Sequence, residues 1–298
     1  MRLAPIILFA YNRPEHTLKT LSALKKNELA AQSELYIFSD GPKNELDIEL
    51  IKSVRQIITN STGFKNVTVY TQELNKGLAY SVINGVSQIL NMHDRVIVLE
   101  DDILTSKNFL TYMNEALTFY EDKKDVFSIS GYRFPFEMPK GNAGDVFISP
   151  RACSWGWATW KNRWEQADWE MKDYAAFASD ENKQTLFNKG GVDLSKMLHR
   201  QMSGQINSWA IRWCYAHFKH QAYCLYPVNS VAMNFGNDST GVHSPATNKY
   251  FVDISNQPQQ IKLTYPLYED ASIIKAFRLF FKISWKDRFE YLKNYFLN

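Results

Sequence analysis

Short apolar runs alternate with stretches of helical periodicity over roughly the first 130 residues of the chain. The runs predict strands at residues 6–10, 35–39, 67–70, 95–99 and 126–130. The stretches between them predict helices at residues 14–26, 44–58 and 78–90, and one ending near 120 that begins with Thr105 or Ser106 as its cap. Strands that alternate with helices in this way indicate an α/β fold, with a mostly parallel sheet flanked by helices.

This regularity weakens after about Gly131. Residues 151–164 are rich in Trp and small side chains, residues 208–220 have helical periodicity, and residues 228–243 have the composition of a loop. The chain shows no internal repeat, no low-complexity tract and no linker that would separate a second domain.

Polar residues directly follow three of the predicted strands. Asn12 and Arg13 follow the first strand, Asp40 the second, and Glu100-Asp101-Asp102 the fourth. Ligands of open α/β sheets bind at the carboxyl ends of the strands. These residues are therefore candidates for one shared site.

The three consecutive acids have a chemical implication of their own. Alternation along a strand would direct Glu100 and Asp102 to one side and Asp101 to the other, until the turn redirects them. Like charges this close repel each other unless a cation or hydrogen-bond donors offset them. A divalent ion such as Mn²⁺ or Mg²⁺, shared with a nucleotide diphosphate, would do so. The alternatives are a solvated acidic turn at the start of a helix and the metal site of a phosphohydrolase or nucleotidyltransferase.

The length and composition of the chain limit the classes of protein to which it could belong. The 298 residues suffice for one large domain, and a formal net charge of +3 without a long basic run argues against a nucleic-acid partner. Aromatic residues make up 14% of the chain, which suits either sugar binding or an aromatic core. Cys153, Cys214 and Cys224 lack metal-ligand spacing and are predicted to be buried thiols in a reducing compartment. Because no apolar stretch reaches the ~20 residues that span a bilayer and the first run is too short for a signal peptide, we expect a cytoplasmic protein.

Three segments resemble glycosyltransferases of the GT-A fold, in particular bacterial proteins similar to N-acetylglucosaminyltransferase I. The segments are the acidic motif at residues 96–103 with the helix after it, the Trp-rich stretch at residues 153–157, and the Gly-rich stretch at residues 236–243. The resemblance implies a GT-A domain at residues 1–245, with a nucleotide-sugar half (1–130) and an acceptor half (131–245), and a C-terminal extension at 246–298.

The resemblance also implies roles for matching residues at the donor. Asp102 would bind the metal, Asp101 the ribose of the donor, and Glu100 a hydroxyl of the donor sugar. Arg13 would contact the nucleotide, and Asp40 would accept a hydrogen bond from the edge of uracil.

Further residues complete the predicted site. Ala10 and Tyr11 would line the donor site beside Arg13, and Lys76, with free backbone N–H groups before a helix, would face the donor phosphates. His243 would complete the metal shell or touch the diphosphate. The candidates for contact with the acceptor or the sugar are Trp155, Gly156, Trp157 and Trp209.

The chain departs from the resembled family at the general base. Inverting members use a carboxylate near a Trp on a late helix, and the matching stretch around Trp209 has none. An acceptor hydroxyl must lose its proton to a group within reach. Asp193 and Asp238 are candidates, and a retaining mechanism is the alternative.

The C-terminal stretch carries two parallel stripes. The aromatic and apolar stripe consists of Phe277, Phe281, Trp285, Phe289, Leu292 and Phe296. The basic stripe consists of Lys275, Arg278, Lys282, Lys286 and Lys293. This pattern is typical of a helix on an anionic membrane surface, and equally of a helix whose aromatic stripe packs on the core.

Together these observations predict an enzyme that transfers a sugar from a nucleotide-sugar donor, a UDP-sugar, to a glycan or lipid-linked glycan in bacterial surface polysaccharide assembly. The protein would work in the cytoplasm or at the inner face of the membrane. The alternatives are a nucleotidyltransferase, against which the absence of glycines in residues 11–14 counts, and a catalytically inactive protein that binds nucleotide sugars.

Overall fold

The computed structural model describes residues 2–139, 144–237, 247–255 and 260–282. Its strands are β1 (Ile6–Ala10), β2 (Glu34–Ser39), β3 (Asn66–Thr71), β4 (Arg95–Glu100), β5 (Ile103–Thr105), β6 (Val126–Ser130), β7 (Val146–Ser149), β8 (Trp157–Trp160), β9 (Tyr223–Pro227) and β10 (Ala232–Asn234). Its α-helices are α1 (Pro14–Lys25), α2 (Leu46–Thr59), α3 (Leu78–Leu90), α4 (Phe109–Phe119), α5 (Lys161–Trp164), α6 (Tyr174–Ala178), α7 (Glu181–Phe187), α8 (Leu194–Met202), α9 (Trp209–Lys219) and α10 (Ala271–Phe280).

Eight of these strands form one sheet in the order β3-β2-β1-β4-β8-β6-β9-β7. The first four are parallel to one another, with Ile6 opposite Leu35 on one side and Ile97 on the other. β8 lies between β4 and β6 and is antiparallel to both. The predicted α/β fold with a mostly parallel sheet is confirmed, and the sheet is mixed because β8 and β7 are antiparallel to their neighbours. β8 also joins residues of the two predicted halves of the chain in a single sheet.

Apolar side chains cover both faces of the sheet, which explains the continuous apolar runs of β1 and β4. Ile6 and Leu8 point to one face, where they pack with α1, α2 and α4. Ile7 and Phe9 point to the other face and pack with α3 and α9. Successive side chains of β1 therefore point alternately into two separate cores, one on each face of the sheet.

The predicted elements of the first half agree with the structure to within a few residues. One detail is wrong: neither Thr105 nor Ser106 caps α4, whose N-cap residue is Asn108. Thr105 belongs to β5, and the Ser106 hydroxyl donates to the carbonyl of Val231 at 3.1 Å. The predicted loop at 228–243 contains β10, which pairs antiparallel with β5.

The aromatic stripe of the C-terminal stretch packs on the core where the structure describes it. Ile273, Phe277 and Phe281 are buried against a cluster that includes Phe134 and Tyr226. The prediction that this face of the helix lies on a membrane is therefore wrong for these residues, because their side chains are already covered. The later residues of both stripes, from Trp285 on, lie outside the described residues.

The basic stripe is exposed at its described positions, Lys275, Arg278 and Lys282. Within the described ranges, no helix combines the length and the apolar character that crossing a bilayer requires.

Candidate functional site

The residues that follow β1 and β4 meet at the carboxyl edge of the sheet, in a buried ion-pair cluster. The Arg13 guanidinium contacts the carboxylates of both Asp101 and Asp102, the latter at 3.0 Å. The exposed fractions are 17% for the Arg13 side chain, 4% for Asp101 and 11% for Asp102. Both acids face Arg13 because β4 ends at Glu100 and the following turn redirects the two side chains.

This contact changes one expectation from the sequence. We predicted that a metal ion offsets the repulsion between the acids and that Arg13 contacts the nucleotide. In the structure, Arg13 itself supplies a positive charge to Asp101 and Asp102. One guanidinium cannot balance three ionised acids, so the cluster with Glu100 keeps an excess of negative charge.

Burial, and after it this imbalance of charge, shifts the pKa values of the acids. Burial, and then the charges of Asp102 and Asp101, raise the pKa of Glu100 above its usual range. Burial also raises the pKa of Asp101, although the Arg13 charge opposes that shift. A cation at the cluster would lower both values, because it favours the ionised forms.

One carboxylate oxygen of the cluster has no donor. Asp102 Oδ1 is buried and has no hydrogen-bond partner among the described residues, whereas Asp102 Oδ2 is bound to Arg13. Burying a charged oxygen without a partner costs free energy. A hard divalent cation prefers such an oxygen ligand, so the residues fit Mn²⁺ or Mg²⁺.

The described residues supply few metal ligands. No group of three or more His, Cys, Asp or Glu side chains within them could hold a metal ion. A cation at Asp102 would then take most of its ligands from water or from a bound diphosphate, as Mg²⁺ commonly does. His243, the other predicted ligand, lies outside the described residues.

A segment from far along the chain closes the site. The backbone N–H of Phe235 donates to the carbonyl oxygen of Asp102 at 2.9 Å, directly after the β5–β10 pairing. A Cβ on Gly236 would lie only 2.2 Å from Asp102 Oδ2 and 2.9 Å from Arg13 Nη1. The Gly-rich stretch singled out in the sequence therefore begins against the acidic motif, and a side chain at its first position would force Asp102 or the segment itself to shift.

Several residues that the sequence did not indicate hold the site in place. The His16 ring stacks on Phe235, with ring centroids 4.9 Å apart, and the Thr20 hydroxyl donates to the carbonyl of Asp101 at 2.7 Å. Asp47 accepts hydrogen bonds from the Tyr11 hydroxyl and from the Asn12 side chain, both at 2.7 Å. Each contact joins residues that are distant in sequence or on different elements, so no local pattern marks them.

Ala10 and Tyr11 lie where the prediction placed them, beside Arg13. Ala10 is a buried end of β1, and the backbone N–H of Tyr11 donates to Asp101 Oδ2 at 3.2 Å. Burial first, and then the hydrogen bond to Asp47, raise the pKa of the Tyr11 hydroxyl to about 12. The loop after β1 is thus tied to both the acidic turn and α2.

Asp40 has a structural role in this site. Its carboxylate accepts the backbone N–H groups of Lys76, at 2.9 and 3.1 Å, and of Gly77, at 2.8 Å. The expectation that these two N–H groups are free for phosphates is therefore wrong in this structure, because Asp40 binds them. The Lys76 side chain is exposed, and contact of Asp40 with a base stays a prediction.

The four predicted sugar-binding residues fall into two groups. Trp157 and Trp209 are buried in the core with ring centroids 5.1 Å apart, so neither ring face can reach a sugar, and the prediction is wrong for both. Gly156 is also buried, at φ 63°, a conformation that favours glycine. Trp155 is half-buried, and its ring packs edge-on against Tyr132 and Tyr250.

The candidate bases remain unassigned. Both carboxylate oxygens of Asp193 accept hydrogen bonds from the Arg151 guanidinium, at 2.9 and 3.0 Å, and the Arg151 guanidinium lies 3.6 Å from the centre of the Phe281 ring. This bidentate pair ties the start of α8 to the C-terminal part and gives Asp193 a structural role. Asp238 lies outside the described residues.

Comparison with known proteins gives distant structural likeness only. No protein-family model matches the chain, and no curated protein matches it. TarS from S. aureus matches with a TM-score of 0.36 and 12% identity over 56% of this chain and 30% of that one. The mannosyltransferase PcManGT from Pyrobaculum calidifontis, solved with GDP-Man and Mn²⁺, matches with a TM-score of 0.38 and 13% identity over 56% of this chain and 48% of that one.

A structure of TarS residues 1–349 with UDP-GlcNAc gives a TM-score of 0.34 and 13% identity over 55% of this chain and 48% of that one. The chain thus spans half or less of the length of these structures. Likeness at this level says nothing about the reaction that this chain performs.

Proposed function

We propose that this protein is a metal-dependent glycosyltransferase that uses a nucleotide-sugar donor. One observation carries the proposal: a buried acidic pair at the carboxyl edge of a mostly parallel sheet, next to Arg13, in which the Asp102 Oδ1 atom has no donor among the residues that the structure describes. The excess negative charge favours a divalent cation, and the guanidinium beside it favours a phosphate group.

Each residue of the site has its own proposed role. Asp102 would hold Mn²⁺ or Mg²⁺, which when bound supplies positive charge to the leaving diphosphate. Arg13 would contact the phosphates, and Asp101 and Glu100 would accept hydrogen bonds from the hydroxyls of the ribose and of the donor sugar. These roles follow the resemblance drawn from the sequence.

The proposal also specifies the donor, the transferred group and the acceptor. The donor is a UDP-sugar, the transferred group a hexosyl or N-acetylhexosaminyl unit, and the acceptor a hydroxyl of a glycan or lipid-linked glycan. The support for this assignment is the resemblance drawn from the sequence motifs at residues 96–103 and 236–243.

Thermal unfolding with UDP-sugars and GDP-sugars, each with and without Mn²⁺, tests the proposal. A ligand that binds only the folded state at 100 times its dissociation constant stabilises the protein by about 2.7 kcal/mol. We expect one class of nucleotide sugar to raise the melting temperature, and Mn²⁺ to increase the shift. Asp102→Asn should abolish the part that depends on Mn²⁺.

Glu170→Gln is the matched control, since Glu170 forms only an exposed pair with Lys172. Release of UDP or GDP measured with the same donors separates an enzyme from an inactive binding protein. Stabilisation by a nucleoside triphosphate together with release of pyrophosphate would instead identify a nucleotidyltransferase. A response to Mn²⁺ that is the same in Asp102→Asn and in the wild type would refute the site.

A further inference from the structure

A groove lies on the face of β2 and β3 that α3 only partly covers. Tyr36, Phe38 and Tyr70 project from these strands on this face and are half-buried. The opposite face of the same strands is covered by α2, where Ile37 packs against Val54 and Ile58 in the core. The groove is therefore a partly open side of an otherwise covered sheet.

The groove encloses about 410 Å³, within the range of ~300–1,000 Å³ typical of small-ligand sites. Asp40 and Gln72 form one end of it, at the carboxyl ends of β2 and β3, and Asn91 forms the other end, after α3. It is thus separate from the ion-pair cluster at Arg13, although one end reaches the same edge of the sheet.

The rings of Phe38 and Tyr70 form the floor of the groove, and the buried Phe9 ring supports them from the core. The ring centroids of Phe9 and Phe38 are 5.4 Å apart, and those of Phe38 and Tyr70 are 4.8 Å apart, with interplanar angles of 27° and 20°. Tyr80, half exposed, adds a further ring at the rim. α3 can approach this stack because residue 85 is glycine, whose Cβ would lie 2.8 Å from the Phe9 ring.

Amide side chains form the walls. Gln72, Asn84, Gln88 and Asn91 line the groove and are exposed. Each amide offers two donors and one acceptor, and Asn84 uses one donor for the carbonyl of Tyr80, at 2.9 Å. The lining therefore combines apolar ring faces with uncharged groups that both donate and accept.

The charge of the groove excludes most other ligands. Asp40 is the only ionisable acid or base in the described lining apart from the tyrosine hydroxyls, and its oxygens are bound to the N–H groups of Lys76 and Gly77. A phosphate or a nucleic acid would need cations, which this lining lacks. A purely apolar helix would leave the amides without partners, at a cost in free energy.

We propose that this groove binds a neutral oligosaccharide. The C–H groups of sugar rings would pack on the parts of the Phe38 and Tyr70 rings that their mutual stacking leaves accessible, and the sugar hydroxyls would exchange hydrogen bonds with Gln88 and Asn91. Binding here does not depend on the donor site. The further statement that the bound saccharide is the acceptor rests on the proposed function.

Saturation-transfer NMR and calorimetry with neutral hexasaccharides of glucose, galactose and N-acetylglucosamine, and with acidic hexasaccharides of uronic acid, test the binding. We expect at least one neutral hexasaccharide to bind and the acidic ones to bind at least tenfold more weakly. Tyr70→Ala should weaken binding about tenfold. Gln88→Ala should weaken it by a smaller factor without harming the fold, because the position is exposed on a helix that tolerates Ala.

Tyr268→Ala is the matched control, because Tyr268 is 79% exposed and does not line the groove. Asp102→Asn should lose the Mn²⁺ response yet bind the saccharide as the wild type does, which separates the two proposals. The inference is overturned if no neutral hexasaccharide binds, or if the Tyr70 and Gln88 variants bind as tightly as Tyr268→Ala. It is also overturned if light scattering shows a dimer that Gln88→Ala disrupts, since a second copy would then occupy the groove.

Discussion

Arg13 and Asp102 join the carboxyl ends of β1 and β4 through a largely buried ion pair of 3.0 Å. The same guanidinium binds Asp101, so one basic side chain holds the whole acidic turn. The site where we propose a metal ion thus already contains the positive charge of Arg13.

Replacing Arg13 with Met should destabilise the protein by about 3 kcal/mol, because it leaves buried carboxylates without a positive partner. The measurement is urea unfolding without metal, compared with Arg2→Met, which breaks an exposed pair with Asp94 and should cost less than about 1 kcal/mol. Mn²⁺ should restore part of the stability of Arg13→Met. Equal losses in the two variants would show that the buried pair contributes little.

Replacing Gly236 with Ala should weaken the response to Mn²⁺ and nucleotide by tenfold or more while leaving the overall fold intact. The added Cβ would lie 2.2 Å from Asp102 Oδ2, so the segment after β10 must move away from the acidic turn. Titration calorimetry checks this, with Glu170→Ala as the control, since the Glu170 side chain is 78% exposed. Unchanged affinity in Gly236→Ala would mean that this close approach is not needed.

His217 should make stability depend on pH between about 4 and 6.5. Burial lowers its pKa from 6.5 to about 4, and its ring nitrogens are engaged by Ser128 and by the carbonyl of Trp213, at 2.7 and 2.8 Å. Below pH 6.5 the unfolded chain binds a proton that the folded state does not, so stability is full above pH 6.5 and falls as the pH drops towards 4.

The loss from His217 amounts to about 3 kcal/mol at most, from 1.36 kcal/mol per pKa unit. Urea unfolding at several pH values measures it, and His217→Gln should flatten the slope in this range. If the free energy of unfolding has the same pH dependence in the wild type and in His217→Gln, His217 is not the group that causes it.

Replacing Phe277 with Ala should cost about 3–5 kcal/mol, the range for a large buried ring. Phe277 is fully buried, whereas Leu279 on the same helix is mostly exposed, and Leu279→Ala should have little effect. Chemical unfolding compares the two, and sedimentation with phosphatidylglycerol vesicles records membrane binding. If Phe277→Ala stays as stable as Leu279→Ala and loses vesicle binding, the ring serves a membrane and not the core.

The strands of the first half could be predicted because β1 and β4 are buried on both faces and so form continuous apolar runs. β8 was missed because its Trp-rich sequence fits a sugar-binding segment as well as a core strand, and only the fold shows Trp157 buried against Trp209. The acids of the site were predicted from their sequence alone. Their partner was not, since the pairing with Arg13 depends on how β1 lies beside β4.

The small β5–β10 sheet has a consequence for the order of assembly. Ile103 pairs with Asn234, and Phe235 and Gly236 directly after it lie against Asp102. These two residues are therefore synthesised long after the acids themselves. Because a contact between residues so distant in sequence carries a larger loop-closure entropy than a local one, we expect it to form after the local elements. A nascent chain that ends before β10 leaves its acidic turn uncovered on one side, so the site that we propose is complete only after residue 236 has been synthesised.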